Sequence, residues 1–255
     1  MKHPLAALFA FSLLAAACGP SACVAPAPEP PAEYRSLPKP AAGPALADPR
    51  EAALAAGALE VFEYRGERLD SLENYRDNSI KGPQAVDPAT YRLEVGGLVS
   101  RPLSLGYEEA LALPSFQRLV TLHCVEGWTA TVLWEGPRVL ELLERAGADP
   151  AANTLVLYAA DGYSTSIPLA DLRARDMILA ARSNGLPLSH ARGFPFQLVA
   201  ADKWGYKWIK WVTRLEVSAD AKFRGFWEER GYSLRGELDE ARYEEGPSPE
   251  GATAK

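Results

Sequence analysis

Two neighbouring residues in the middle of the chain, His123 and Cys124, have side chains that can do chemistry. A thiol can act as a nucleophile, bind a metal or be inert in a core. His123 is poorly placed to be the base for Cys124, because neighbouring residues of a strand point to opposite faces. A Cys–His hydrolase would therefore have to use His190, the other histidine outside the N-terminal segment.

A zinc site built by the protein alone is not indicated. The sequence has no CxxC or HExxH motif, whereas a structural zinc ion takes four ligands. We expect Cys124 to be unpaired, since Cys18 lies in a targeting segment and Cys23 in a proline-rich stretch. A single thiolate suits a metal whose other ligands come with an organic cofactor.

Apolar, strand-forming residues lie on both sides of Cys124, and the pattern breaks at Gly127. Strands are predicted at 91–95, 116–125, 129–134, 154–158, 163–167, 194–200 and 207–217, and a hairpin within 177–190. Helices are predicted at 50–62, 107–113 and 137–146, and a helical turn at 168–171. Because strands outnumber helices and do not alternate regularly with them, we predict a single α+β domain with a mixed sheet.

A second segment with chemical potential is KWGYKWIKW at 203–211, which places three lysines among four aromatic residues. Such a segment can stack on flat rings and hold anionic groups. It can equally be an amphipathic strand whose lysines reach water. Gly205 permits a close backbone approach to a ligand. The polar segment 75–78 can be a solvated loop with an Arg76–Asp77 pair.

The ends of the chain differ in composition from the middle. Residues 1–17 resemble a signal peptide, and Ala15 to Cys18 resemble a bacterial lipobox; the alternative is a signal peptide cut elsewhere. The lipobox implies a lipid anchor at Cys18 on the periplasmic side of the cell envelope, and Gly19 favours the outer membrane. Residues 18–62 are predicted to be a Pro/Ala-rich tether, 63–235 the domain and 236–255 a charged, disordered tail. The net charge of -6 argues against nucleic-acid binding.

Several motifs of the middle segment form a specific combination: CVEGW at 124–128, WEGP at 134–137, DGY at 161–163, GFPFQLVA at 193–200 and KWGYKWIKW. Together they resemble the molybdopterin-binding domain of the sulfite oxidase superfamily, from about residue 75 to 232. CVEGW looks closest to the bacterial group that includes the catalytic subunit of the periplasmic methionine-sulfoxide reductase.

The resemblance implies the family's mixed-sheet fold, a Mo-molybdopterin cofactor and a role for each matching residue. Cys124 would be the protein ligand of molybdenum. The catalytic pocket would also contain Arg76 and Tyr232. The residues implied in cofactor binding are Asn78, Arg192 or else His190, Lys207 and Lys210 of the K-x-x-K segment, and Trp208 and Ile209 through their backbone.

The sequence departs from the family's pattern in three ways. Gln197 stands where many relatives have arginine, and the N-terminal segment has no Arg-Arg pair for twin-arginine export. We also expect this protein to lack the C-terminal dimerisation domain of sulfite oxidases. Because no CxxCH haem motif is present, we expect a separate haem-bearing or quinone-linked electron-transfer partner.

Two hypotheses of function follow. The first is a molybdenum enzyme that transfers an oxygen atom to or from a small oxyanion or S- or N-oxide in the cell envelope, with a two-electron change. The alternative is a cofactor-free binding or scaffold lipoprotein on the same fold. Cys124 favours the enzyme, and the missing Arg-Arg favours the scaffold.

Overall fold

The computed structural model describes residues 46–244, which form strands and short helices in irregular alternation. The strands are β1 (Glu63–Tyr64), β2 (Glu67–Arg68), β3 (Leu93–Gly97), β4 (Leu103–Leu105), β5 (Ser115–His123), β6 (Thr129–Pro137), β7 (Thr154–Ala159), β8 (Ser164–Pro168), β9 (Ile178–Ala180), β10 (Arg182–Ser183), β11 (Leu186–Pro187), β12 (Gln197–Val199) and β13 (Val212–Ser218). The helices are α1 (Pro49–Ala55), α2 (Tyr107–Leu111), α3 (Val139–Ala146) and α4 (Leu169–Arg175).

The largest sheet has five strands in the order β4-β3-β13-β7-β8. Strand β13 pairs in parallel with β3 and antiparallel with β7, so the sheet is mixed. Residues 154–157 of β7 are all buried, because this strand is covered on both faces. The fold class predicted from the sequence, a single α+β domain with a mixed sheet, is confirmed.

The long hairpin of β5 and β6 carries Cys124 in its turn. The nine-residue strands pair in register from Ser115 opposite Pro137 to His123 opposite Thr129. The turn is closed because Cys124 N donates to the Trp128 carbonyl over 2.9 Å, and Gly127 adopts a positive φ of 92° that suits glycine. Strand β5 therefore ends at His123 rather than at the predicted residue 125. The hairpin holds the thiol at one end of a second sheet, β11-β10-β6-β5.

Helix α3 follows the spacing of its apolar residues. Val139, Leu142, Leu143 and Ala146 are buried on one face, and the helix ends at Gly147 in the left-handed conformation. The helix begins two residues later than predicted, because Pro137 still belongs to β6. The helical turn predicted at 168–171 is the start of the longer helix α4.

The segment 203–211 is not a strand, which corrects the prediction of one from 207 to 217. Gly205–Lys207 form a 3-10 turn, Trp211 has a positive φ of 50°, and the extended backbone begins at Val212. An isolated parallel bridge joins Trp204 to His123, so this segment packs against the end of β5. The segment therefore wraps around the Cys124 turn instead of crossing the sheet.

Residues on both sides of the predicted domain, 63–235, make buried contacts with it. Arg50 of α1 is buried and pairs with Glu60 over 2.7 Å, although both lie in the predicted tether. Glu237 lies in the predicted tail, yet it is buried against Lys203 over 2.7 Å. Both segments thus pack on the domain over the range described. The predicted signal peptide and Cys18 lie outside the described residues. Within 46–244, the helices are too short or too polar to cross a membrane.

Candidate active site

A cavity of about 220 Å³ opens beside the Cys124 turn. Four further segments form its wall, at 72–80, 161–163, 192–197 and 205–211, together with Trp227 and Tyr232. The structure brings most of the predicted site residues to this wall: Arg76, Asn78, Cys124, Arg192, Trp208, Ile209, Lys210 and Tyr232. The predicted residues Lys207 and His190 do not line it.

The thiol of Cys124 is buried and receives two weak hydrogen bonds. Asn78 Nδ2 lies 3.4 Å from the sulfur, and the backbone N–H of Glu126 lies 3.5 Å from it. Burial raises the pKa of Cys124; the N–H of Glu126 opposes that shift, the Glu126 carboxylate adds to it, and Asn78 and Lys210 oppose it. A bound metal ion overrides such a raised pKa, because a coordinated thiol loses its proton.

Two oppositely charged side chains stand at the mouth of the cavity. Arg76, whose side chain is 76% exposed, lies with Nη1 3.6 Å from Glu126 Oε1. The other Glu126 oxygen accepts from Asn78 Nδ2 over 3.1 Å. The same amide thus contacts both the carboxylate and the thiol. An incoming anion would meet Arg76 already paired with Glu126.

Lys210 supplies a cation to the inner wall. Its Nζ lies 2.5 Å from Asp77 Oδ1 and donates to the Ala191 carbonyl over 3.1 Å. Burial lowers the pKa of Lys210, and the Asp77 carboxylate opposes that shift. The Arg76–Asp77 pair expected for a solvated loop does not form; Asp77 pairs with Lys210 instead.

Two buried N–H groups of residues on the cavity wall have no hydrogen-bond partner among residues 46–244. They are Trp128 Nε1 and Arg192 Nε, and the latter lies 3.9 Å from Glu73 Oε2, in an ion pair but beyond hydrogen-bond distance. The other nitrogens of Arg192 donate to the carbonyls of Tyr75 and Arg76, which fixes the guanidinium. Buried donors are normally satisfied, so donors left over beside a cavity indicate a ligand rich in acceptors. Together with a single thiol and a lysine, they fit an anionic cofactor that carries a metal.

Tyr232 closes the cavity on the side of the C-terminal segment. Only 7% of it is exposed, and its ring packs against Tyr206, Trp227 and Tyr243 at centroid distances of 5.1, 5.2 and 4.7 Å. Burial is the main cause that raises the pKa of Tyr232 above its ordinary value. The hydroxyl therefore keeps its proton at neutral pH.

Lys207, which was predicted to bind the cofactor, does not line the cavity and instead makes buried contacts within the fold. Its side chain is fully buried, with Nζ 2.5 Å from Glu228 Oε1 and 3.1 Å from the Ser166 carbonyl. Lys207 follows Gly205 in the 3-10 turn Gly205–Lys207, and the two lysines of K-x-x-K pair with different carboxylates, Lys207 with Glu228 and Lys210 with Asp77.

His190 is also outside the cavity wall. Its ring packs edge-on against Phe194, and neither ring nitrogen has a hydrogen-bond partner among the described residues. Of the two predicted alternatives, the structure places Arg192 on the wall. Cys124 has no histidine among its hydrogen-bond partners in the described chain, which removes support for a Cys–His hydrolase.

Gly205 makes the close packing of the site possible. A side chain at this position would put its Cβ 3.2 Å from the His123 carbonyl oxygen and 3.3 Å from Cys124 Cα. The glycine thus serves an approach between two protein segments, whereas the sequence suggested an approach to a ligand. It lets the 203–211 segment form the wall next to the thiol.

Three site residues were not selected from the sequence. Glu126 lies inside CVEGW, and Asp161 of DGY is a buried carboxyl on the wall whose pKa burial raises. The motifs themselves are the signal that could have identified both. Tyr243 contacts Tyr232 from the segment predicted to be disordered, and no local pattern distinguishes it.

The arrangement defines a class of protein. Within residues 46–244 there is no group of three or more His, Cys, Asp or Glu side chains that could hold a metal ion alone. One buried thiol on a cavity wall that also presents Arg192 and Lys210 instead fits a cofactor-dependent oxidoreductase in which the protein adds a single sulfur ligand.

The particular family is shown by comparison with known proteins. Residues 80–227, more than half of the chain, match the oxidoreductase molybdopterin binding domain family. The chain belongs to this family of the sulfite oxidase superfamily and is an oxidoreductase. Arg76, Asn78 and Tyr232 lie just outside the matched range, although all three line the cavity.

The chain is similar to several characterised and uncharacterised relatives. It is 34% identical over 156 residues to the uncharacterized oxidoreductase YuiH of Bacillus subtilis, covering 61% of this chain and 78% of that protein. It is 28% identical over 152 residues to the protein-methionine-sulfoxide reductase catalytic subunit MsrP of Gluconobacter oxydans, covering 52% of this chain and 49% of the relative. The chain thus spans about half the length of MsrP.

A solved structure supports the fold alone. The sulfane dehydrogenase SoxCD from Paracoccus pantotrophus superposes with a TM-score of 0.53 at 24% identity, over 59% of this chain and 43% of that one.

Proposed function

We propose that this protein binds a molybdenum–molybdopterin cofactor through Cys124 and transfers an oxygen atom to or from a small S- or N-oxide or oxyanion. The observation that carries the proposal is the buried thiol of Cys124 on a cavity wall that also presents Arg192 and Lys210. When bound, the cofactor supplies a metal that changes oxidation state by two electrons. The family membership supports the same cofactor.

The residues of the wall suit different parts of such a cofactor. Cys124 would hold the metal end. The anionic and polar parts of the cofactor would be bound by Arg192 and Lys210 and by the backbone of Trp208 and Ile209. Cations and N–H donors are the groups that bind a phosphate. Asn78 would orient the Cys124 sulfur from the opposite wall, over its 3.4 Å contact. The aromatic wall of Trp128, stacked on Tyr75 at 4.6 Å, would exclude water.

Arg76 and Tyr232 suit the substrate side of the site. Arg76 is the exposed cation at the mouth, and Tyr232 presents a protonated hydroxyl to the cavity. The name of the similar MsrP supports a sulfur oxide as substrate. A separate haem-bearing or quinone-linked protein would exchange the electrons with the site.

We also propose that the protein is anchored by a lipid at Cys18 on the periplasmic side of the envelope, at the outer membrane. The support is the lipobox-like sequence Ala15 to Cys18. Labelled palmitate should be incorporated into the wild type and not into Cys18→Ser. Incorporation that persists in this variant would contradict the anchor.

The experiment that tests the cofactor is metal analysis with pterin fluorescence on protein from a cofactor-competent host. We expect about one molybdenum per chain in the wild type and in Cys23→Ser, and a lower molybdenum content per chain in Cys124→Ser. Cys23→Ser removes another thiol and is the matched control. Circular dichroism would show that Cys124→Ser is folded. Absence of both metal and pterin from the wild type would favour the scaffold alternative.

A further inference from the structure

The hydroxyl of Tyr243 lies next to the hydroxyl of Tyr232, and backbone hydrogen bonds fix the relative position of the two residues. The two residues face each other in an antiparallel bridge. Ser233 N donates to the Arg242 carbonyl over 2.8 Å, and Glu244 N donates to the Gly231 carbonyl over 3.0 Å. Residues opposite each other in such a bridge put their side chains on one face. The rings accordingly lie 4.7 Å apart between centroids, and the hydroxyl oxygens 3.5 Å apart.

The segment that carries Tyr243 packs directly against the candidate active site. Arg242 Nη1 donates to the Val125 carbonyl over 2.9 Å, next to Cys124, and its guanidinium lies 4.3 Å from the Trp204 ring centroid. Glu244 accepts from Leu234 N over 3.2 Å and pairs with Arg224. These contacts hold the bridge against the cavity wall, so Tyr243 has a fixed position relative to Tyr232.

The two tyrosines connect the cavity with the surface. Tyr232 is 7% exposed and lines the cavity, whereas Tyr243 is half-buried and reaches solvent. The neighbouring Tyr206 hydroxyl is committed to the Ser233 carbonyl over 2.6 Å, so Tyr243 is the available partner of Tyr232. The charged or ionisable groups that face Tyr232 from the other elements are Cys124, Tyr206 and Arg242.

A hydroxyl both donates and accepts, so two hydroxyls in series can carry a proton. Tyr243 can donate to Tyr232 Oη while Tyr232 directs its own proton into the cavity. The separation of 3.5 Å is at the outer limit of a hydrogen bond, and a small rotation of either ring shortens it. The Trp227 ring also packs against Tyr232, at a centroid distance of 5.2 Å.

We propose that Tyr243 is a positioning residue for Tyr232 and passes a proton between solvent and the cavity through it. The proposal rests on the proposed function. Reduction of an S-oxide consumes two protons and two electrons and gives the sulfide and water. The electron-transfer partner supplies the electrons. Tyr232 gives its proton to the departing oxygen, Tyr243 gives its proton to Tyr232 Oη, and solvent reprotonates Tyr243. The relay runs twice in each turnover, so that both protons of the product water come from solvent. The reverse reaction uses the same path outward.

The test is Tyr243→Phe, which keeps the ring and removes the hydroxyl. Tyr64→Phe, far along the chain in β1, is the matched control. The probes are dimethyl sulfoxide and trimethylamine N-oxide with reduced methyl viologen, and sulfite with ferricyanide. We expect kcat to fall about tenfold with KM unchanged, because the variant loses one hydrogen bond that acts in the transition state. The deficit should narrow as pH falls, because hydronium then replaces the relayed proton.

Metal content separates this proposal from the proposed function. Tyr243→Phe should hold as much molybdenum as the wild type, and Tyr232→Phe combined with Tyr243→Phe should lose no more kcat than Tyr232→Phe alone. An unchanged kcat and pH profile in metal-loaded Tyr243→Phe would overturn the relay. So would a fall in kcat that merely follows a fall in metal content. Wild-type protein that holds no molybdenum, or turns over none of the three probes, would overturn the proposed function as well.

Discussion

The amide nitrogen of Asn78 lies 3.4 Å from the sulfur of Cys124 and 3.1 Å from a carboxylate oxygen of Glu126. One side chain thus ties the loop at 75–80 to the turn of the β5–β6 hairpin. The contact also couples the protonation of the thiol to a neighbouring charge. The Asn78 amide lowers the pKa of Cys124, whereas the Glu126 carboxylate raises it.

Substitutions of these two residues should move the pKa of Cys124 in opposite directions. Asn78→Ala removes a hydrogen bond that favours the thiolate, so it should raise the pKa and slow alkylation about threefold in metal-free protein. Glu126→Gln removes a nearby negative charge, so it should lower the pKa and speed alkylation. The measurement is the pH dependence of iodoacetamide labelling, with Asn74→Ala as the control. Shifts in the same direction would contradict this account of the contacts.

Glu126 should also influence the choice of substrate, because it neutralises Arg76 at the mouth of the cavity. Glu126→Gln frees that guanidinium, so anions such as sulfite or sulfate should bind about threefold more tightly. The gain in affinity is small because the Arg76–Glu126 pair is exposed. The gain should disappear when Arg76→Gln is added. The measurement is the inhibition constant of sulfate for the wild type, Glu126→Gln, Arg76→Gln and the double variant. If Glu126→Gln increased sulfate affinity equally with and without Arg76, the Arg76–Glu126 pair would not be the cause.

Substitutions of Lys207 and Lys210, which lie three residues apart, should have different effects on stability and on cofactor content. Lys210→Met removes a cation from the cavity wall and should reduce cofactor content while the fold remains. Lys207→Met leaves Glu228 buried without its partner, and it should lower the free energy of unfolding by about 3 kcal/mol. Thermal unfolding and pterin content, measured on both variants, distinguish the roles. A stable Lys207→Met that lacks cofactor would return Lys207 to the binding site.

Stability should depend on pH through Glu237. Burial raises the pKa of this carboxyl, but hydrogen bonds from Lys203 and Arg175 outweigh burial and lower it from 4.5 to about 2. The folded pKa is depressed, so the stabilisation is complete above pH 4.5 and is lost as pH falls towards 2. Glu237→Gln should cost about 3 kcal/mol at neutral pH and much less in acid.

The control for this prediction is Glu240→Gln, since Glu240 is exposed and pairs with Arg235 over 3.5 Å. Exposed pairs contribute little, so its unfolding free energy should stay within about 0.5 kcal/mol of the wild type. Denaturant unfolding between pH 2.5 and pH 8 would show the difference. A deficit in Glu237→Gln that is constant over this range would contradict the assignment.

The hairpin around Cys124 could be predicted because its signals are local. Apolar residues alternate along β5 and β6, and Gly127 marks the turn. Helix α3 was equally predictable, since its buried residues recur at helical spacing and Gly147 ends it. The family motifs added the wall residues that no local pattern selects, such as Arg192.

The segment 203–211 was mispredicted because its alternation of aromatic and charged residues imitates a strand. Tertiary contacts decide its path: Trp204 pairs with His123, and Lys207 turns inward to Glu228. Long-range contacts also hold the described part of the C-terminal segment, residues 236–244. Its charges suggested disorder, but Glu237 has buried partners far away in the sequence. Such long-range pairs leave no periodic signal.

The central claim is that Cys124 supplies a sulfur ligand to molybdenum. The most direct measurement is X-ray absorption at the molybdenum edge on cofactor-loaded wild type and Cys124→Ser. The account predicts that the molybdenum retained by Cys124→Ser has one coordinated sulfur atom fewer than that of the wild type, because serine has an oxygen in place of the sulfur. Identical sulfur shells in the two proteins would contradict it.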